Sequence, residues 1–148
     1  MIESLAPSDR HIVEALRRKG YKATPQRVAI CRYTIPLRDH PSAKKIYEIV
    51  RKQYPTVSLA TVYNTIDVLK ELHMLQELPM IDGDTRFDPN VEVHINLVCL
   101  QCGSIRDFDS RAIEDMVTKV AKTARFDVRG QSLAVYGVCQ DCDLKKGA

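Results

Sequence analysis

Two Cys-x-x-Cys pairs, Cys99–Cys102 and Cys139–Cys142, constrain this chain more than any other feature. They take four of its five cysteines. Two residues between cysteines let both sulfurs reach one ion at about 2.3 Å, so two pairs supply a tetrahedral thiolate zinc site. The 36 residues between the pairs, 103–138, exceed the spacing of a compact zinc ribbon. The metal would therefore staple two distant edges of a domain. A closed four-cysteine site keeps no open position for chemistry, so it reads as architecture. A disulfide framework fits poorly with the leftover Cys31 and with a start, Met1–Arg10, that lacks the apolar stretch of a secretory signal. A redox pair needs one such motif at a strand-to-helix turn, and an iron–sulfur cluster is a further use of four cysteines. Cys31 lies in an apolar helical run and reads as a buried small hydrophobe.

The 148 residues suffice for one domain or two small ones. No apolar run approaches the length of a membrane-spanning helix, and the expectation is a soluble, cytoplasmic protein. Charge is uneven. Residues 1–79 hold 13 Lys and Arg against 8 Asp and Glu, while residues 80–148 hold 9 against 11. A basic first half and an acidic, cysteine-bearing second half predict two modules. The turn at Asp82-Gly83-Asp84 and the breaker Pro89-Asn90 set the expected division: 1–84, a hinge at 85–90, and 91–148.

Four helical patterns fill the first module. Ile12, Val13 and Leu16 stripe a helix from about Ser8 to Gly20. Thr24-Pro25 caps and opens a second, with Val28, Cys31 and Ile35 inward. Pro41-Ser42 opens a third, with Ile46, Ile49 and Val50 inside. Ser58 caps a fourth, whose Leu59, Val62, Ile66 and Leu69 share one face. Its other face carries Ser58, Thr61, Tyr63, Asn64 and Thr65, short hydrogen-bonding groups suited to base edges and phosphates. Polarity alone fits a solvated face better; the nearby cations Arg17, Arg18, Lys19, Lys22 and Arg27 shift the balance toward DNA. Two short strands, Leu75–Leu78 and Thr85–Phe87, complete a winged helix.

In the second module Val91–Cys99 alternates, with His94, Asn96 and Val98 on one face. Ser104–Phe108 is a second strand, and Asp109 or Ser110 caps a helix with Ile113, Met116, Val117, Val120 and Ala124 as its buried stripe. Phe126–Arg129 and Leu133–Val138 read as further strands. So small a sheet with one helix buries little, which favours pairing with a second copy. The expected fold class is α+β: an N-terminal winged helix-turn-helix domain plus a small C-terminal α/β dimerisation domain with structural zinc.

Ala23-Thr-Pro-Gln-Arg27, His40-Pro-Ser-Ala43 with Ile46-Tyr47, Ser58-Leu-Ala-Thr-Val-Tyr63, and both cysteine pairs with Tyr136-Gly137 together resemble the ferric uptake regulator family. The match runs in order over about residues 8–142. The resemblance implies a homodimeric metalloregulator whose winged helices bind palindromic operator DNA, with Lys22, Arg27, Ser58, Thr61, Tyr63 and Asn64 as DNA-contacting residues here. It implies structural zinc on Cys99, Cys102, Cys139 and Cys142. It also implies a regulatory metal on His40, Asp88, His94, position 96 and Asp107. Taken alone, each of these is more often an ordinary surface residue. Imidazole and carboxylate ligands suit Fe(II) or Mn(II), and a metal bridging the halves would fix the angle between them. The recognition helices would then sit about one DNA turn, roughly 34 Å, apart.

Position 96 departs from the pattern, since Asn96 replaces a histidine. An amide oxygen is a weaker, harder ligand, which lowers affinity and leans toward Mn(II). An accessory site of some members is absent, its positions being Val93, Ile95 and Gln131. His11 and His73 match no ligand position. Aspartate at both carboxylate positions and the run Val62-Tyr63-Asn64 resemble the peroxide-responsive branch, whose bound Fe(II) reacts with peroxide and whose ligand histidine is oxidised irreversibly. That is self-modification, not turnover, so no enzyme is expected. The remaining readings are an Fe(II) or Mn(II) uptake regulator without peroxide sensing, a zinc or nickel sensor, a zinc-stabilised thiol oxidoreductase, and a zinc adaptor that binds protein.

Overall fold

The computed structural model describes residues 8–81 and 83–147. The chain divides into two compact units, Met1–Val91 and Glu92–Ala148. In the first, α1 (Asp9–Arg18), α2 (Pro25–Thr34), α3 (Ala43–Val50) and α4 (Leu59–Glu71) are followed by β1 (Gln76–Leu78) and β2 (Arg86–Asp88). Each helix starts where a hydroxyl accepts from a first-turn N–H. Thr24 caps Arg27 at 3.2 Å, Ser42 caps Lys45 at 3.2 Å, and Ser58 caps Thr61 at 3.0 Å. Ser8 does the same for His11. Each such cap contributes on the order of 1 kcal/mol. Pro25 opens α2, where its missing N–H costs nothing.

The four helices meet on one core. Ile12, Leu16, Ile30, Cys31, Ile46, Val50, Val62, Ile66 and Leu69 are buried in it, and Phe87 of β2 joins them. Burial pushes the Cys31 thiol up to about 12, as expected for a cysteine acting as a hydrophobe. β1 and β2 pair antiparallel with Gln76 opposite Asp88 and Leu78 opposite Arg86. They form the hairpin of the winged helix. Asp82 of the expected turn lies outside the described residues. Because β2 belongs to this hairpin, the segment 85–90 opens with a wing strand, and the two units divide after Val91.

The second unit has a three-stranded sheet in the order β4-β3-β5, with β3 (Ile95–Cys99), β4 (Ile105–Phe108) and β5 (Ala134–Gly137). β3 runs antiparallel to β4, with Asn96 opposite Asp107, and parallel to β5, with Cys99 opposite Gly137. Two helices, α5 (Arg111–Ala124) and α6 (Gln140–Lys146), complete it.

Five expectations are corrected. The α5 stripe is not buried: Met116 is 45% and Val120 55% exposed and Ile113 and Val117 are only half-buried, because little of this small unit packs against that face. Phe126–Arg129 is not a strand. Arg125, in the left-handed region at φ +50°, ends α5, and Phe126 N–H closes back onto the Ala121 carbonyl instead of a sheet edge. α6 stands after the second cysteine pair, where no helix was anticipated. β3 begins at Ile95 rather than Val91. Thr65, expected on the polar face of α4, is fully buried, its hydroxyl donating to the Thr61 carbonyl at 2.8 Å.

Candidate metal centres

The two cysteine pairs lie at the end of β3 and at the start of α6, and the parallel β3–β5 register brings them together. One sulfur of each of the four cysteines lies within 4.8 Å of the others. The Cys102 and Cys139 sulfurs are 3.8 Å apart, in line with the edge of about 3.8 Å that follows from tetrahedral bonds of about 2.3 Å. Backbone N–H groups of Cys102 and Cys139 point at the Cys99 sulfur, at 3.5 and 3.3 Å. They hold the Cys99 thiol down to about 6, while the Cys139 thiol pushes Cys142 up to about 12. Four thiolates this close repel one another, and a dication removes that conflict. The donor set therefore fits zinc.

Each unit also carries nitrogen and oxygen donors. In the first, His40 follows α2 in the loop before α3, and Asp88 ends β2. His40 Nε2 stands 3.6 Å from Asp88 Oδ2, both side chains buried. His40 takes the left-handed region at φ +51°, which costs a side-chain-bearing residue about 1–2 kcal/mol. The loop is pinned to β2: Phe87 N–H donates to the Pro41 carbonyl at 2.9 Å, and Ser42 bridges Arg86. Asp88 Oδ1 accepts the Asn90 N–H at 2.8 Å. Across the hairpin, Gln76 Nε2 lies 3.4 Å from Asp88 Oδ2 while donating to the Asn90 carbonyl at 2.7 Å.

In the second unit, His94 just before β3 and Asn96 on it are both buried, and Asp107 of β4 lies opposite Asn96. His94 Nδ1 lies 2.7 Å from the Glu92 carbonyl, which can only accept, so Nδ1 donates its proton there and Nε2 carries the lone pair that a metal would take. That Nε2 is 3.9 Å from Asp107 Oδ1. The Asn96 amide oxygen is buried and has no hydrogen-bond partner among the described residues. A buried orphan carbonyl is costly, and a cation relieves it. These donors fit a hard or intermediate divalent metal.

On α4, Tyr63 is 47% exposed and Asn64 is exposed, as is Lys22 before α2. Ser58 and Thr61 are engaged with each other at the cap, 2.8 Å apart. Arg27 is half-buried, donating to the Lys22 carbonyl at 2.9 Å and lying over the Tyr21 ring. Sequence reasoning passed over Gln76 and Arg86 because their partners are set by hairpin register and a loop far away in sequence.

The family model described as ferric uptake regulator matches residues 18–136. This chain belongs to that family. It is 36% identical, over 97% of its own length and 97% of the other's, to the peroxide-responsive repressor PerR of Staphylococcus aureus (strain USA300). Its fold is similar to that of the Campylobacter jejuni peroxide stress regulator, with a TM-score of 0.72 at 29% identity, covering 88% of this chain and 98% of that one. It also resembles the Helicobacter pylori ferric uptake regulator Fur, with a TM-score of 0.76 at 22% identity over 93% of this chain and 95% of that one. The latter is described as having three functional metal-binding sites. Among the described residues no helix is long and apolar enough to cross a membrane.

Proposed function

We propose that this chain is a cytoplasmic, metal-dependent transcriptional repressor that senses peroxide through oxidation of its own ligand histidines. Structural zinc sits on Cys99, Cys102, Cys139 and Cys142. The regulatory Fe(II) or Mn(II) is held by His40, Asp88, His94, Asn96 and Asp107. The observation that carries the reading is the tautomer lock on His94, with Nε2 aimed toward Asp107 beside the orphan Asn96 oxygen. The likeness to a peroxide-responsive repressor supports it. When bound, Fe(II) supplies the one-electron chemistry that activates peroxide. The residues hold the imidazoles of His40 and His94 where oxidation falls. In the net reaction one oxygen adds to the imidazole, two electrons pass from the ring to peroxide, and water leaves. A homodimer then presents two α4 helices to a palindromic operator.

Brief peroxide exposure of the Fe(II)-loaded protein is expected to add one oxygen to His40 or His94, read by mass spectrometry of the tryptic pieces 39–44 and 87–106. The Mn(II)-loaded protein is expected to stay unmodified. Unmodified histidines in a protein shown to hold iron would sink the peroxide reading. The second reading, a manganese-responsive regulator without peroxide sensing, would then stand, favoured by three oxygen donors out of five.

For the DNA reading, Tyr63→Ala is expected to weaken operator binding about 10- to 100-fold with zinc content unchanged, given the ~1–3 kcal/mol of a good base contact. Wild-type affinity should fall steeply with salt. Equal operator binding by the variant would refute α4 as the recognition helix.

A further inference from the structure

The guanidinium of Arg86 grips the loop that carries His40. Its Nε donates to the His40 carbonyl, and a terminal nitrogen donates to the Asp39 carbonyl at 3.1 Å. Both accepting carbonyls flank the left-handed kink at His40. Arg86 itself lies on β2, two residues before Asp88, so its own side chain points to the opposite face of the hairpin from Phe87 and to the same face as Asp88. The two backbone contacts of this edge, Phe87 to Pro41 and Ser42 to Arg86, fix the loop along the strand. They meet the loop at Pro41 and Ser42, while Arg86 reaches the His40 peptide itself. A planar fork with fixed donors matches two successive carbonyls in a way that a lysine ammonium does not.

We infer that Arg86 is a positioning residue for the regulatory metal. It holds the His40 peptide in its unfavourable left-handed conformation and so aims the imidazole at the side of β2 that carries Asp88. The inference rests on the proposed role of His40 and Asp88 as metal ligands. Arg86 touches no metal; it acts through His40. Groups that orient a ligand typically change metal affinity 10- to 100-fold when removed. The same grip ties the wing strand to the ligand loop, so the two move as one piece.

The test is a double-mutant cycle in the full-length zinc-loaded chain, reading Mn(II) affinity by electron paramagnetic resonance. Arg86→Gln is expected to weaken Mn(II) binding 10- to 100-fold, and His40→Ala at least as much. The double variant is expected to bind no more weakly than His40→Ala, because Arg86 has nothing left to position. Zinc content and melting temperature serve as fold controls. Should Arg86→Gln fail to fold, Arg86→Lys enters the same cycle; it keeps the charge but loses the fork and is expected to weaken binding several-fold. Additive losses, or wild-type affinity in the folded Arg86 variant beside a weakened His40→Ala, would overturn the proposal alone. Unchanged affinity in His40→Ala would overturn the ligand reading and the proposal with it.

Discussion

Cys139→Ser is expected to unfold the second unit while the first keeps its helices. The asymmetry follows from where each unit finds its stability. The first unit has a continuous core of buried residues from Ile12 to Phe87, drawn from all four helices and the wing. The second buries few apolar side chains: Val98, Cys99 and Cys142, with nothing buried on α5. A sheet of three short strands cannot offset its ordering entropy on that basis. Zinc on four thiolates would contribute on the order of 10–16 kcal/mol, comparable to the whole stability of a typical domain of about 5–15 kcal/mol. Hydrogen exchange read by mass spectrometry is the measurement. Residues 92–147 should lose protection in the variant, and residues 9–78 should keep it. A chelator should reproduce the loss in the wild type, and added zinc should reverse it there but not in Cys139→Ser. Protection retained across β3 and β5 in the variant would show that the cysteine cluster is not what holds this unit together.

What could be read from the sequence was local. Ser8, Thr24, Ser42 and Ser58 announce helix starts because a cap needs only its own first turn. The cysteine pairs are legible because two-residue spacing is itself the chelating geometry. His40 and Asp88 are 48 positions apart, and no periodicity joins them; the family resemblance did. Their nearness in space depends on the loop before α3 lying along β2, a long-range event invisible in either segment. Arg86 and Gln76 belong to that same long-range event and were missed for that reason. Thr65 reads as polar and therefore exposed, but a threonine that gives its proton to the carbonyl four residues back can face a core. Phe126–Arg129 reads as a strand, but the left-handed turn at Arg125 commits the Phe126 N–H to the Ala121 carbonyl, a closure the local pattern does not announce. α6, with the sequence QDCDLKK, has no apolar periodicity to announce it.

The α5 stripe is a different case, since its period was read correctly and its burial was not, and that discrepancy supplies the last prediction. Val120→Glu is expected to be monomeric where the wild type is expected to be dimeric. Met116 and Val120 are exposed on α5, and Phe108 of β4, Phe126 and Val135 of β5 are 50%, 66% and 52% exposed in the same unit. So much apolar surface on so small a unit is unusual for a chain that works alone. Self-pairing of one face about a two-fold axis would cover it. A carboxylate at position 120 would have to be desolvated without a partner, which is strongly unfavourable. Sedimentation should report a monomer for Val120→Glu and a dimer for the wild type. Lys122→Glu, on the opposite side of the helix, should remain dimeric. Operator affinity should fall about 10²- to 10⁴-fold in the monomer, since joining two DNA-binding units supplies that factor through effective concentration. Zinc content should not change, because no cysteine ligand is altered. A dimeric Val120→Glu would remove the α5 face from the interface, and unchanged operator affinity in a proven monomer would remove the need for two α4 helices on one operator.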